Sequence, residues 1–182
     1  MTDVLGYRRF AAQGGDWSAF VSTRLGAVHA RSLIGIHLNF LALPRDPAAL
    51  EPATEEERRY RAELTEFLKE ETGYQWIQGT RPQTLGYGLA DSPAALCAWI
   101  VEKYWAWMDC NGHPENVLTR DELLDNVMLY WLPAAGASSA RICWESFATL
   151  IGDHTPIDMP VGVSMYPHEI FRASRQIGRA HV

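Results

Sequence analysis

Gly14-Gly15-Asp16-Trp17-Ser18 encloses one carboxylate between small residues. Small flanks suit a turn too tight for side chains, with the reactive group raised at its apex. A helix that starts just after such a turn aims its N-terminus at the carboxylate and stabilises negative charge there. The choice of Asp restricts the chemistry. A serine attacking a saturated carbon leaves an ether, which water cleaves with difficulty, whereas a carboxylate leaves an ester, whose carbonyl water can attack. Asp16 as nucleophile therefore points to displacement at carbon, opening an epoxide or expelling a halide, and then to ester hydrolysis. The backbone N–H of Trp17 is the expected oxyanion donor for the second step. The same five residues also fit an ordinary glycine-rich turn in which Asp16 caps a helix.

The flanking segments favour the first reading. Tyr7–Gln13 is expected as a strand, and from Trp17 to about Ala30 the pattern turns helical, with Phe20, Val21, Leu25 and Val28 near one face. Ser32–Leu38 is a short apolar run of the kind buried in a parallel sheet. Strand, glycine turn, helix and strand make a βαβ unit. Pro44 to Pro52 reads as a connector. Helices follow. Thr54 and Glu57 form a capping box before a helix with Tyr60, Leu64, Phe67 and Leu68 on one face, expected to stop at Gly73. Ser92-Pro93 opens a helix to about Met108, Thr119 and Glu122 open another through Trp131, and Ser138–Ile151 is expected as one more. Met159–Tyr166 returns to strand character. A sheet of about three parallel strands needs cover on both faces, so further strands are expected outside these residues.

Composition sets the outer bounds. The 182 residues are 47% hydrophobic and 21% charged, with a formal net charge of −6, a balance that fits one soluble domain. A net negative chain does not suggest nucleic acid or an anionic membrane as partner. Apolar runs such as Leu33–Ile36 and Ala94–Val101 are too short or too interrupted to cross a bilayer, and no leader opens the sequence. No membrane anchor is therefore expected. Cys97, Cys110 and Cys143 lack metal-ligand spacing and fit a reduced, cytoplasmic setting. Seven tryptophans and seven tyrosines, many between Tyr74 and Trp144, would serve either a core or an apolar pocket.

Five stretches together resemble the microsomal and juvenile-hormone class of epoxide hydrolases and their bacterial relatives, within the α/β-hydrolase superfamily. They are Gln13–Trp17, Gly73–Thr84, Asp91–Ala94 with Trp99–Lys103, Asp121–Trp131 and Ser138–Arg141. They occur in the family's order and span most of the chain from Leu5 to about Phe171. The resemblance implies an α/β fold, a partial α/β-hydrolase core of few parallel strands with a large helical lid insertion. Residues 1–45 would be core with the nucleophile elbow, 46–150 the lid, and 151–176 a core strand and acid loop. It also implies hydrolysis of a small apolar epoxide to a diol through an Asp ester, with no metal or organic cofactor. Asp16 would attack. Tyr74 would be a lid tyrosine whose hydroxyl binds and protonates the epoxide oxygen. Glu169, in Tyr166-Pro167-His168-Glu169, would be the acid that orients the catalytic histidine.

The chain departs from the pattern in places. Cys143 stands where the family usually has a second lid tyrosine, and a thiol is a poor donor. None of His29, His37, His113, His154, His168 and His181 matches the family's histidine, which lies a strand and loop beyond the acid. The early strands and the His-Gly-type oxyanion loop have no counterpart either. The expectation is a truncated chain, itself inactive, whose residues Ile177–Val182 resemble a translated sequencing adapter and form a non-native tail. The enzymatic rival is a haloalkane-type dehalogenase, which also uses an Asp-Trp elbow and tryptophan N–H groups; Tyr74 and the lid segments favour the epoxide. A serine hydrolase fits poorly, since Gly162-Val163-Ser164-Met165-Tyr166 lacks the last glycine of G-x-S-x-G. A dead fragment, or a binding module keeping only the lid pocket, is the non-enzymatic alternative.

Overall fold

A computed structural model describes residues 1–41, 54–151 and 155–172. The connector expected at Pro44–Pro52 and the tail expected at Ile177–Val182 fall outside the described residues. The chain divides into two compact units, one of Met1–Glu71 with Leu150–Val182 and one of Thr72–Thr149.

The first unit is built on a parallel sheet. After a short helix, α1 (Thr2–Leu5), come β1 (Phe10–Gly14), α2 (Trp17–Val28) and β2 (Leu33–Leu38). β1 and β2 pair in parallel with Gly14 opposite Leu38, and β2 pairs in parallel with β3 (Val161–Val163), so the order is β1-β2-β3. The expected βαβ unit is present. Its core gathers Ala19, Leu33, Ile36 and Leu38, packed by Phe10, Leu25, Phe40, Ile157 and Met159. α2 faces this core differently from the expected stripe: its buried residues are Ala19, Ser22 and Gly26, while Val21 and Val28 are 56% and 47% exposed. Small side chains let the helix lie close against the strands, and close packing outweighs the local apolar pattern. The last strand is shorter than Met159–Tyr166. Pro160 has no N–H to donate, but its carbonyl accepts from Ile36 N–H, and Ser164 N–H donates to Leu38 O beyond the other end.

α3 (Glu55–Glu70) starts where the sequence signals it, with Thr54 and Glu57 in a reciprocal capping box. Gly73 does not end it. The helix stops at Glu70, and Gly73 instead opens α4 (Gly73–Thr80), with Thr72 as the residue before it.

In the second unit α4 is followed by α5 (Pro82–Asp91), α6 (Pro93–Trp107), α7 (Arg120–Trp131), α8 (Gly136–Ala140) and α9 (Ile142–Ile151). Leu89, Leu96, Val127 and Ala140 form its buried core. The expected single helix over Ser138–Ile151 is two, broken at Arg141. α8 is pressed onto α5: a Cβ at Gly136 would lie 3.0 Å from Leu89 Cβ and 3.1 Å from Leu89 O. Ser92 caps α6 through the Ala95 N–H, and Thr119 and Glu122 close a second capping box on α7.

Candidate active site

Asp16 sits at φ 48° and ψ −128°, a backbone conformation that non-glycine residues rarely hold. The turn allows nothing larger on its inner side. A Cβ on Gly14 would overlap the Ser18 carbonyl oxygen and lie 2.8 Å from the Ala19 nitrogen. A Cβ on Gly15 would lie 2.5 Å from Asn39 Oδ1. Asn39 follows β2 and buttresses the bend: its backbone N–H donates to Gly14 O at 3.1 Å, and its Oδ1 accepts from Gln13 Nε2 at 2.9 Å. Sequence reasoning does not single out Asn39, because its role depends on the pairing of β2 with β1.

The Asp16 carboxylate is exposed, and its Oδ1 accepts the Trp17 N–H at 2.6 Å. Trp17 is the first residue of α2, so this hydrogen bond adds to the helix N-terminus in stabilising negative charge. One of the two carboxylate oxygens is held by this bond.

Glu169 follows β3 as Asp16 follows β1 and Asn39 follows β2. Parallel strands therefore bring all three to the same, carboxyl-terminal edge of the sheet, where open α/β sheets bind ligands. Glu169 is half-buried, and its Oε1 accepts the Ile170 N–H at 3.2 Å. α3 grips the loop that carries it. The Tyr60 hydroxyl donates to Ile170 O at 2.8 Å and accepts from Arg172 N–H at 2.9 Å. Arg172 in turn donates from Nε to Glu169 O at 3.2 Å, and its guanidinium lies 5.1 Å from the Tyr60 ring centre. Nothing in the sequence joins Tyr60 to Glu169, which are 109 positions apart. At the same edge His37 Nε2 and Ser164 Oγ are hydrogen-bonded at 2.9 Å. Aromatic contacts, tilted at Trp17 and edge-on beyond it, run from Trp17 to Phe20, Phe40 and Phe171, at 6.1, 6.0 and 5.2 Å between ring centres.

In the helical unit, Tyr74 occupies the first turn of α4 and is half-buried. Its hydroxyl oxygen accepts from Gln75 Nε2 at 2.9 Å, and its ring packs 5.6 Å from that of Trp107. Cys143 is buried, and its thiol donates to Gln78 Oε1 at 3.2 Å, one helical turn beyond Tyr74. A groove of about 780 Å³ on this unit is lined by Tyr104, Leu118, Met128, Leu129 and Leu132 and does not include Tyr74. Among the described residues, no three His, Cys, Asp or Glu side chains are grouped to hold a metal, and no helix is long and apolar enough to cross a membrane.

No family model matches the sequence. Individual relatives do. The chain is 46% identical over 172 residues to a candidate epoxide hydrolase of Stigmatella aurantiaca, covering 94% of this chain and 39% of that protein. It is 34% identical over 190 residues to the juvenile hormone epoxide hydrolase of Bombyx mori, covering 91% and 41%. The crystal structure of the silkworm juvenile hormone epoxide hydrolase superposes with a TM-score of 0.82 at 34% identity, over 97% of this chain and 47% of that one. Over most of its length the chain is similar to epoxide hydrolases, and it shares part of their α/β-hydrolase fold. A second structure, that of the Aspergillus niger epoxide hydrolase, superposes with a TM-score of 0.77 at 29% identity, over 96% of this chain and 44% of that one. The chain thus spans about two fifths of the length of the curated epoxide hydrolases it matches. The α/β class expected from the sequence, with few parallel strands and a large helical part, is the one observed.

Proposed function

We propose that the enzyme to which this chain belongs hydrolyses a small apolar epoxide to a diol through an ester on Asp16. The observation that carries the reading is the strained Asp16 backbone, with one carboxylate oxygen already held by the Trp17 N–H at the start of α2. In the first step the other oxygen attacks an epoxide carbon. A C–O bond to Asp16 forms, the ring C–O bond breaks, and its electron pair passes to the leaving oxygen, which takes the hydroxyl proton of Tyr74. Tyr74 regains a proton from water. In the second step water attacks the ester carbonyl, the bond from the carbonyl carbon to the diol oxygen breaks, the diol leaves with the proton taken from that water, and Asp16 returns to a carboxylate by releasing one proton to solvent. The oxygen facing the Trp17 N–H carries the developing charge, so the donor is in place before charge appears. Glu169 orients a histidine that activates this water, supplied by a part of the enzyme outside these 182 residues. Tyr74 belongs to the helical unit, Thr72–Thr149, which is the lid in this reading.

Styrene oxide and denaturing mass spectrometry test the first step on the chain itself. The expected result is an increase by the mass of one epoxide, mapped to Asp16 and absent in Asp16→Asn. Without a histidine in the family's position the ester should accumulate and persist. Release of halide from a haloalkane, with no epoxide adduct, would replace this reading by a dehalogenase.

A further inference from the structure

The Lys103 ammonium lies 5.6 Å from the centre of the Tyr74 ring and 5.2 Å from that of Trp107. Lys103 and Trp107 are four residues apart on α6 and so share a helix face, against which Tyr74 packs. The lysine side chain is only 20% exposed, so the charge sits close to the two rings with little water around its stem. Its ion-pair partner, Glu102, approaches at 2.8 Å with a side chain that is 66% exposed. This contact offsets part of the ammonium's charge, and the remainder acts on the two rings beside it.

The field matters most while Tyr74 is giving up its proton. A neutral phenol attracts the ammonium through its ring quadrupole alone. Once the proton has moved to the leaving oxygen, the ring and its oxygen carry a full negative charge and the attraction becomes charge on charge. The interaction is therefore stronger during ring opening than before it, which is the condition for accelerating that step. Gln75 works in the same direction, since its Nε2 already donates to the Tyr74 oxygen at 2.9 Å.

We propose that Lys103 is a positioning and charge-tuning residue for Tyr74, which strengthens that phenol as the acid of the ring-opening step. The inference rests on Tyr74 being the donor to the epoxide oxygen. The experiment follows the rate of ester formation at Asp16 with styrene oxide in excess, on the full chain, by quenching and denaturing mass spectrometry. Lys103→Met keeps the apolar stem and removes the charge, and should slow alkylation about tenfold. Lys103→Arg keeps the charge and should stay within about threefold of the parent chain. Lys103→Gln replaces the methionine variant if that protein does not fold. In a Tyr74→Phe background the lysine substitution should have no further effect, because no proton leaves the ring. An unchanged rate in Lys103→Met, or an equal loss in the Tyr74→Phe background, overturns the role of Lys103. Full-rate alkylation by Tyr74→Phe itself would instead remove the reading on which it rests.

Discussion

The sheet unit and the helical unit hold their chemical groups by different means. In the first, Asp16 is fixed by main chain: a positive φ, two glycines with no room for a Cβ, and the opening amide of α2. Glu169 is also held through main chain, by a hydroxyl that bridges Ile170 O and Arg172 N–H. In the second, Tyr74 is held by side chains, namely the Gln75 amide, the Trp107 ring and the Lys103 ammonium. Backbone constraints are all-or-none, because a clash with a carbonyl has no rotamer to escape into. Side-chain constraints are graded. Substitutions at the Asp16 turn should therefore abolish function or fold, and those around Tyr74 should scale it.

The sharpest break is Gly14→Ala. Its Cβ would overlap the Ser18 carbonyl, so the start of α2 must move. Roughly 3 kcal/mol or more of stability should be lost, with no adduct at Asp16; urea denaturation and mass spectrometry would check both. A stable, alkylating Gly14→Ala chain would end the contrast. Asp16→Gly runs the other way. It should abolish alkylation yet raise stability by about 1 kcal/mol, since glycine relieves the strain and costs only tenths as an N-cap. A fall in urea midpoint would show that the turn is not strained. Tyr60→Phe removes one hydroxyl from two backbone groups and should cost about 1 kcal/mol, with faster amide exchange at Arg172. Unchanged exchange there would mean that α3 does not hold the acid loop.

The smallest effect lies at the α7 capping box. The Thr119 N–H, and next its hydroxyl, hold the Glu122 carboxyl below the usual carboxylate range. A lowered folded-state value contributes stability that is present above the unfolded value and lost as pH falls through the folded one. The first turn of α7 should therefore exchange faster in acid, and Glu122→Gln should flatten that dependence, as read by amide exchange at Glu122 and Leu123.

Elements set by local chemistry were legible in the sequence. The capping boxes at Thr54 and Thr119 and the Ser92-Pro93 start all form, because each satisfies backbone groups within one turn. The tight turn at Asp16 was legible for a related reason: small residues on both sides of it are demanded by a short-range bend. What depends on distant partners was not. α5 contains Gly86 and Gly88 and carries no strong helical signal, and it is α8 that packs tightly against it. The face that α2 buries, the break at Arg141, the Tyr60 grip on residues 170–172 and the cation over Tyr74 all arise from contacts across tens of residues. No periodicity in one segment encodes them.

The row of rings from Trp17 through Phe20 and Phe40 to Phe171 joins the residue after Asp16 to one just past Glu169. An indole at one end of a packed aromatic file is a natural fluorophore coupled to events at the other. With the other six tryptophans replaced, its emission would report on the far loop without a label or a substrate.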